Sequence, residues 1–285
     1  MLSQEYMRNA LLAGSFIALA CGVCGWFVVL RGQVFAGDAL SHVAFPGALA
    51  AAAAGLDQRV GLFAATIAAG AAIAMLGRGA ITARGGRAAG VEPADDTTIG
   101  VLFTFVLALG VFFLTRFSLG SGGSAGIEAS HTLFGSIFGL AAGEARLAAI
   151  IAVAVLVAVL AIARPLLFAS VAPEIAGARG VPTRLLGFAF LALLGVVAAE
   201  ASQALGALLL LGLLAGPAAA AQRLLPRPAA SIALAAGFAL ASMWGGLALA
   251  WAVPSLPPSS AVIAIATAIY LLARLPGVRG GGAHR

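Results

Sequence analysis

The chain has 285 residues, of which 62% are hydrophobic and only 9% charged, with a formal net charge of +6. A soluble domain carries about 25% charged residues to cover its surface, so a water-facing globule is excluded and the outside of the fold must meet lipid. All 16 basic residues are Arg; they fall in the breaks between apolar runs, which marks topology rather than a nucleic-acid surface.

Crossing the hydrocarbon takes roughly 20 apolar residues per helix. The apolar runs are continuous rather than alternating, so they are helices and not barrel strands. Residues 1–10 form a short polar lead, with Glu5 and Arg8, into a retained helix; there is no positively charged n-region or cleavage site. Spans are predicted at 9–30, 38–55, 60–77, 98–115, 147–163, 185–200, 203–221, 229–252 and 259–274, and a piece at 130–142 is too short to cross. The break at 78–96 holds Arg78, Arg84, Arg87, Glu92, Asp95 and Asp96, and that at 164–184 holds Glu174 and Arg179. A third break holds Arg223 and Arg227, and the tail holds Arg274, Arg279 and Arg285. The positive-inside rule places all four in the cytoplasm. Nine spans put the N-terminus outside; eight, if 38–55 dips in without crossing, put it inside. The expected fold is an all-α polytopic bundle of eight or nine helices, one transmembrane domain over residues 1–285. Its 37 Gly and its Ala runs suit close helix approach.

Ionisable groups inside apolar segments are costly and therefore functional candidates. Asp38 and His42 are four residues apart, so on a helix both project from one face, one turn apart. They follow Arg31-Gly32-Gln33, where the first span breaks, and precede Pro46-Gly47, where the second is kinked or restarted. Transporters place ion sites at such broken helices. A carboxylate oxygen with an imidazole nitrogen suits Zn, Mn or Fe better than Mg or Cu(I). The alternative is a structural pair, an N-cap Asp bracing a His. Two ligands do not hold a metal selectively, so the metal reading also requires a two-fold dimer that brings two copies of the pair to one axis.

Other polar groups have plainer readings. Cys21 and Cys24 lie mid-span as small packing residues. Glu200, with Ser202 and Gln203, is expected at an aqueous helix end. Glu128 and His131 border a Gly/Ser-rich loop, as ordinary loop polarity or as contacts of an outer vestibule. No phosphate loop, dinucleotide fingerprint or H-E-x-x-H occurs, so the chain carries no recognisable nucleotide motif. Other functions that Asp38 and His42 could serve are a proton-driven carrier using them as a relay, and an intramembrane metalloenzyme. The first needs further membrane carboxylates, and only Glu200 offers itself; the second needs a third ligand and a base.

Several segments, in order, resemble the membrane permeases of ABC importers for zinc, manganese or iron, the ABC-3 metal-ion family. Met7-Arg8-Asn9-Ala10-Leu11-Leu12-Ala13-Gly14 opens the chain as those proteins do. Val28-Val29-Leu30-Arg31-Gly32 and Gly37-Asp38-Ala39-Leu40-Ser41-His42-Val43-Ala44-Phe45-Pro46-Gly47 look like the family's most distinctive stretch. Asp95-Asp96-Thr97-Thr98-Ile99-Gly100 and Leu133-Phe134-Gly135-Ser136-Ile137 are similar to later markers, as is Leu214-Ala215-Gly216-Pro217-Ala218. Val43 and Gln33-Val34-Phe35-Ala36 depart from the pattern.

The resemblance implies a transport subunit with no chemistry of its own and no permanent cofactor. It implies a homodimer in the bacterial inner membrane, working with cytoplasmic ABC ATPase subunits and an extracytoplasmic metal-binding protein. Nucleic acid is not among the expected partners. Asp38 and His42 are implied to contact the transported metal. The segment from Leu167-Phe168-Ala169-Ser170 to Ala178-Arg179-Gly180-Val181-Pro182 is implied to dock on the ATPase, with Glu174, Arg179 and Gly180 as its coupling residues.

Overall fold

A computed structural model describes residues 4–76, 96–120, 135, 137–207 and 210–275. Helix follows helix along the chain: α1 Glu5–Leu30, α2 Val34–Ala53, α3 Gln58–Leu76, α4 Asp96–Gly120 and α5 Ala142–Val171. Then come a short α6, Pro173–Ala178, and α7 Thr183–Leu205, α8 Leu210–Leu224, α9 Pro228–Ala252 and α10 Pro258–Arg274. A single 3-10 turn, Ile137–Gly139, precedes α5, and no strand occurs among the described residues. Seven helices (α1 to α5, α7 and α9) are long and apolar enough to cross a membrane by length and composition. The apolar α10 is shorter.

Contacts fix the threading. Asn9 Nδ2 donates to the Leu140 carbonyl at 3.3 Å, so α1 and α5 begin at the same end; Arg31 Nη1 donates to Ser170 Oγ at 3.2 Å, so they finish together. Trp26 Nε1 donates to Ser231 Oγ at 2.8 Å, and Trp244 Nε1 to Ser15 Oγ at 2.8 Å, which sets α9 antiparallel to α1. Gly47 of α2 and Gly61 of α3 meet backbone to backbone, an antiparallel hairpin that no Cβ would allow. Across α4, Gly110 lies against Pro46 and Phe103 against His42, so α4 runs parallel to α2. Passing through α3 to α7 (Thr66 against Gly195) and α8 to α10 (Gly212 against Ile263), every helix except α6 alternates in direction.

Among the described residues this gives nine alternating helices, seven of which are candidate spans by length and composition. α2 is a full 20-residue helix and not a dip. One end carries Arg31, Arg164, Arg179, Arg184, Arg223, Arg227 and Arg274; the other carries Arg8, Arg59, Arg116 and Arg146 among the described residues. The positive-inside rule assigns the Arg-rich end to the cytoplasm and the start of α1 to the opposite side. Most of the charged break at 78–96 lies outside the described residues.

α1 is the axis of the bundle: 72% of its most apolar window is buried by α5, α8 and α9, among others. α4 is the opposite case, 11% buried and packed almost wholly on α2. Its Val101, Phe105, Val111 and Phe112 point outward. Two expected boundaries are corrected. α2 starts at Val34, before Asp38, and continues through Pro46 without restarting. The expected span 203–221 does not form as one helix: α7 runs on to Leu205, Gly206 ends it at φ +89°, and α8 starts at Leu210. Only glycine adopts that backbone cheaply.

Candidate functional site

Asp38 is the fifth residue of α2, not its cap: Gln33 precedes the helix and makes no side-chain capping bond. His42 follows one turn later, and His42 Nε2 lies 3.8 Å from Asp38 Oδ1. That is ion-pair range and too long for a hydrogen bond. The structural alternative, a capping Asp bonded to its His, is therefore not the arrangement present. Both side chains are partly exposed, His42 at 17% and Asp38 at 27%. The His42 ring tilts against Phe103 of α4 with centroids 5.4 Å apart, and a groove between α2 and α4 adjoins Phe103. Phe35, Thr97, Gly100 and Thr104 line its neighbouring stretch.

The backbone around the pair is fixed by the residue between them. Ser41 Oγ reaches the Asp38 carbonyl at 2.7 Å and the Ala207 carbonyl at 3.0 Å, and Ser202 Oγ donates to the Ser41 carbonyl at 3.3 Å. The break between α7 and α8 thus sits beside α2 at the level of Asp38 and His42. Gly37 lets Leu214 of α8 close on the same turn, since a Cβ there would stand 2.8 Å from its Cδ2. Pro46 has no N–H, so the His42 carbonyl lacks its usual helical donor. The pair offers one oxygen and one nitrogen ligand. No cluster of three or more His, Cys, Asp or Glu occurs among the described residues, so the described residues of one copy do not complete a four-ligand metal site.

The expectation of a solvated Glu200 is overturned. Its carboxylate is 3% exposed and accepts a 2.9 Å bond from Arg59 Nη2, tying α7 to α3. The signal for this pair was present in the sequence as an Arg and a Glu at the edges of apolar runs, which in a membrane fold need each other. Cys21 and Cys24 are fully buried free thiols in α1, as packing predicts. Glu128 and His131 lie outside the described residues.

At the cytoplasmic end, Glu174 falls in the first turn of α6. Arg179 caps its C-terminus, with the guanidinium 6.0 Å over the Phe168 ring. Gly180 turns the chain at φ +79° before Pro182 and α7. Behind this corner Arg31 is held by Gln33, Ser170 and Phe190. Burial pulls its pKa down from the usual guanidinium range, but a guanidinium remains charged, so its partners must serve a desolvated cation.

A profile of the ABC 3 transport family matches residues 3–276. The manganese transport system membrane protein MntC of Halalkalibacterium halodurans is 28% identical over 273 residues, spanning 96% of this chain and 88% of that protein. The probable iron transport system membrane protein of Haemophilus influenzae is 26% identical, over 76% of this chain and 73% of that one. Among solved structures, PsaBC from Streptococcus pneumoniae in complex with Fab is 24% identical with a TM-score of 0.80, covering 96% of this chain and 92% of the other. That likeness speaks for the fold. The whole helical chain is accounted for by one family profile, and it belongs to the ABC 3 transport family, as an integral permease subunit of the plasma membrane.

Proposed function

We propose that this subunit forms the membrane path of an ATP-driven importer for a divalent transition metal, with Asp38 and His42 as the ligands that the metal meets on its way through. The observation that carries this reading is the state of the pair. It lies on one face of α2 beside the α7–α8 break, neither capping a helix nor hydrogen-bonded to each other. Carboxylate and imidazole together favour Mn, Fe or Zn over Mg. The relatives are named for manganese and iron, which makes manganese the first metal to test.

Two copies pair across the α2–α4 surface, so that two Asp38 and two His42 surround the metal. The weakly covered α4 and the partial exposure of the pair support that surface. The α6 corner, with Glu174, Arg179 and Gly180, seats on cytoplasmic ABC ATPase subunits, and an extracytoplasmic binding protein delivers the metal to the other end. The proton-driven alternative loses its one extra carboxylate, because Glu200 is committed to Arg59. The test is metal accumulation in proteoliposomes that hold the complete complex. ATP-dependent accumulation of manganese, iron or zinc that survives a protonophore is expected. Accumulation that needs only a proton gradient, or none at all, overturns the reading.

A further inference from the structure

The corner between α1 and α2 is built around a partly buried cation, Arg31. Gly32 turns the chain at φ +65°, and the Gln33 N–H closes the corner on the Val28 carbonyl at 2.9 Å. Arg31 then reaches three elements at once. Its Nε donates to Gln33 Oε1 at 2.9 Å, its Nη1 donates to Ser170 Oγ at 3.2 Å near the end of α5, and its guanidinium lies 5.7 Å over Phe190 of α7. Gln33 is itself only 4% exposed, so the first bond is inside the protein.

The two sides of this cation lead to the two regions that an importer must connect. Toward the bilayer interior, the Gln33 carbonyl accepts the Gly37 N–H at 3.1 Å, and Asp38 is the next residue. Toward the cytoplasm, Ser170 stands three residues before Pro173, the first residue of α6, and Phe168 on the same turn carries the Arg179 guanidinium. α2 has no side-chain cap of its own, so its start is located by the Arg31–Gln33 contact and the tie of Arg31 to Ser170 and Phe190. A planar guanidinium with donors fixed in a fork holds two partners at a set spacing, which an ammonium does not.

We infer that Arg31 is a positioning residue that fixes the start of α2 to the α5–α6 corner, so that movement of α6 on the ATPase is passed through Arg31, Gln33 and Ser170 to Asp38 and His42. This rests on the function proposed above. Spatial succession alone does not establish coupling, so the test reads coupling directly. Metal imported per ATP hydrolysed is measured in proteoliposomes holding the whole complex, for wild type, Arg31→Lys, Gln33→Met and Ser170→Ala. Metal binding to the nucleotide-free complex and the amount of assembled complex are measured alongside.

The expected result is ATP hydrolysis that continues while metal moved per ATP falls by about five-fold or more in Arg31→Lys, a typical coupling magnitude. Gln33→Met and Ser170→Ala should show smaller falls in the same direction, with metal binding retained in all three. A ratio equal to wild type in assembled Arg31→Lys and Ser170→Ala overturns the inference. So does a loss of hydrolysis and uptake together in proportion to lost complex, which is what a merely structural corner gives. Failure of the underlying function is a different outcome: wild type itself then imports no metal with ATP.

Discussion

Glu200 and Arg59 meet at 2.9 Å between α7 and α3, with the carboxylate almost wholly enclosed and the guanidinium lying against Phe63. Glu200 lies two residues before Ser202, whose hydroxyl bonds the backbone of the Asp38–His42 turn. The ion pair therefore anchors the outer part of the wall that α2 leans on, rather than facing water.

Removing one member leaves the other charge buried without a partner, at a cost of about 3–5 kcal/mol. Glu200→Leu and Arg59→Met should each lower the thermal stability of the purified subunit markedly, while the double substitution should recover most of the loss. The comparison is a three-way melt in detergent, and additive losses in the double variant would mean that the two side chains stabilise independently.

The threading makes a second prediction. In a Cys21→Ala/Cys24→Ala background, a cysteine at Asp57, between α2 and α3, should react with an impermeant maleimide in intact cells. One at Gly177, in α6, should react only after permeabilisation. Asp57 sits at the Arg-poor end and Gly177 at the Arg-rich end, so the opposite pattern inverts the topology.

How much of this was readable from the sequence differs by element. The i, i+4 spacing of Asp38 and His42 put them on one face, and the structure has them there. The start of α2 was not readable, because Gln33 is no capping residue and the Arg31 that bonds it is itself fixed by Ser170 of α5. The α7–α8 break was expected after Glu200 because polar residues cluster there. Glu200 and Ser202 instead find partners on α3 and α2, so α7 continues until Gly206 ends it. Partners far apart in sequence decide such boundaries, and periodicity carries no record of them.

The α6 corner gives a third prediction. Glu174→Arg and Arg179→Glu alter side chains at the cytoplasmic end, where water meets the change, so insertion and folding should be unaffected. If the corner seats on the ATPase, each reversal should weaken metal-stimulated ATP hydrolysis and uptake in the reconstituted complex. Arg179→Glu should be the stronger, since it also removes the guanidinium from the Phe168 ring. Undiminished stimulation in both variants would move the docking site elsewhere.

The last prediction concerns the metal pair itself. Asp38→Asn keeps the size and hydrogen-bonding capacity of the side chain but removes the charge that offsets a divalent cation in a low-dielectric path, where Coulomb terms are several times those in water. His42→Gln removes the imidazole nitrogen and leaves a polar side chain against Phe103. Because Asp38 is inside α2 and does not cap it, and because the pair is 3.8 Å apart rather than bonded, neither change should disturb α2. Ser41 continues to hold the turn through Ala207 and Ser202. Uptake of manganese by the reconstituted complex should therefore fall to background in Asp38→Asn and fall steeply in His42→Gln, while assembly and basal ATP hydrolysis stay at wild-type levels. The same two variants should also lose metal-dependent protection of the complex against heat, since a cation bound only by the folded state stabilises it by mass action. Wild-type uptake in Asp38→Asn would show that the charge is not needed in the path, and the metal would then have to be met by other groups.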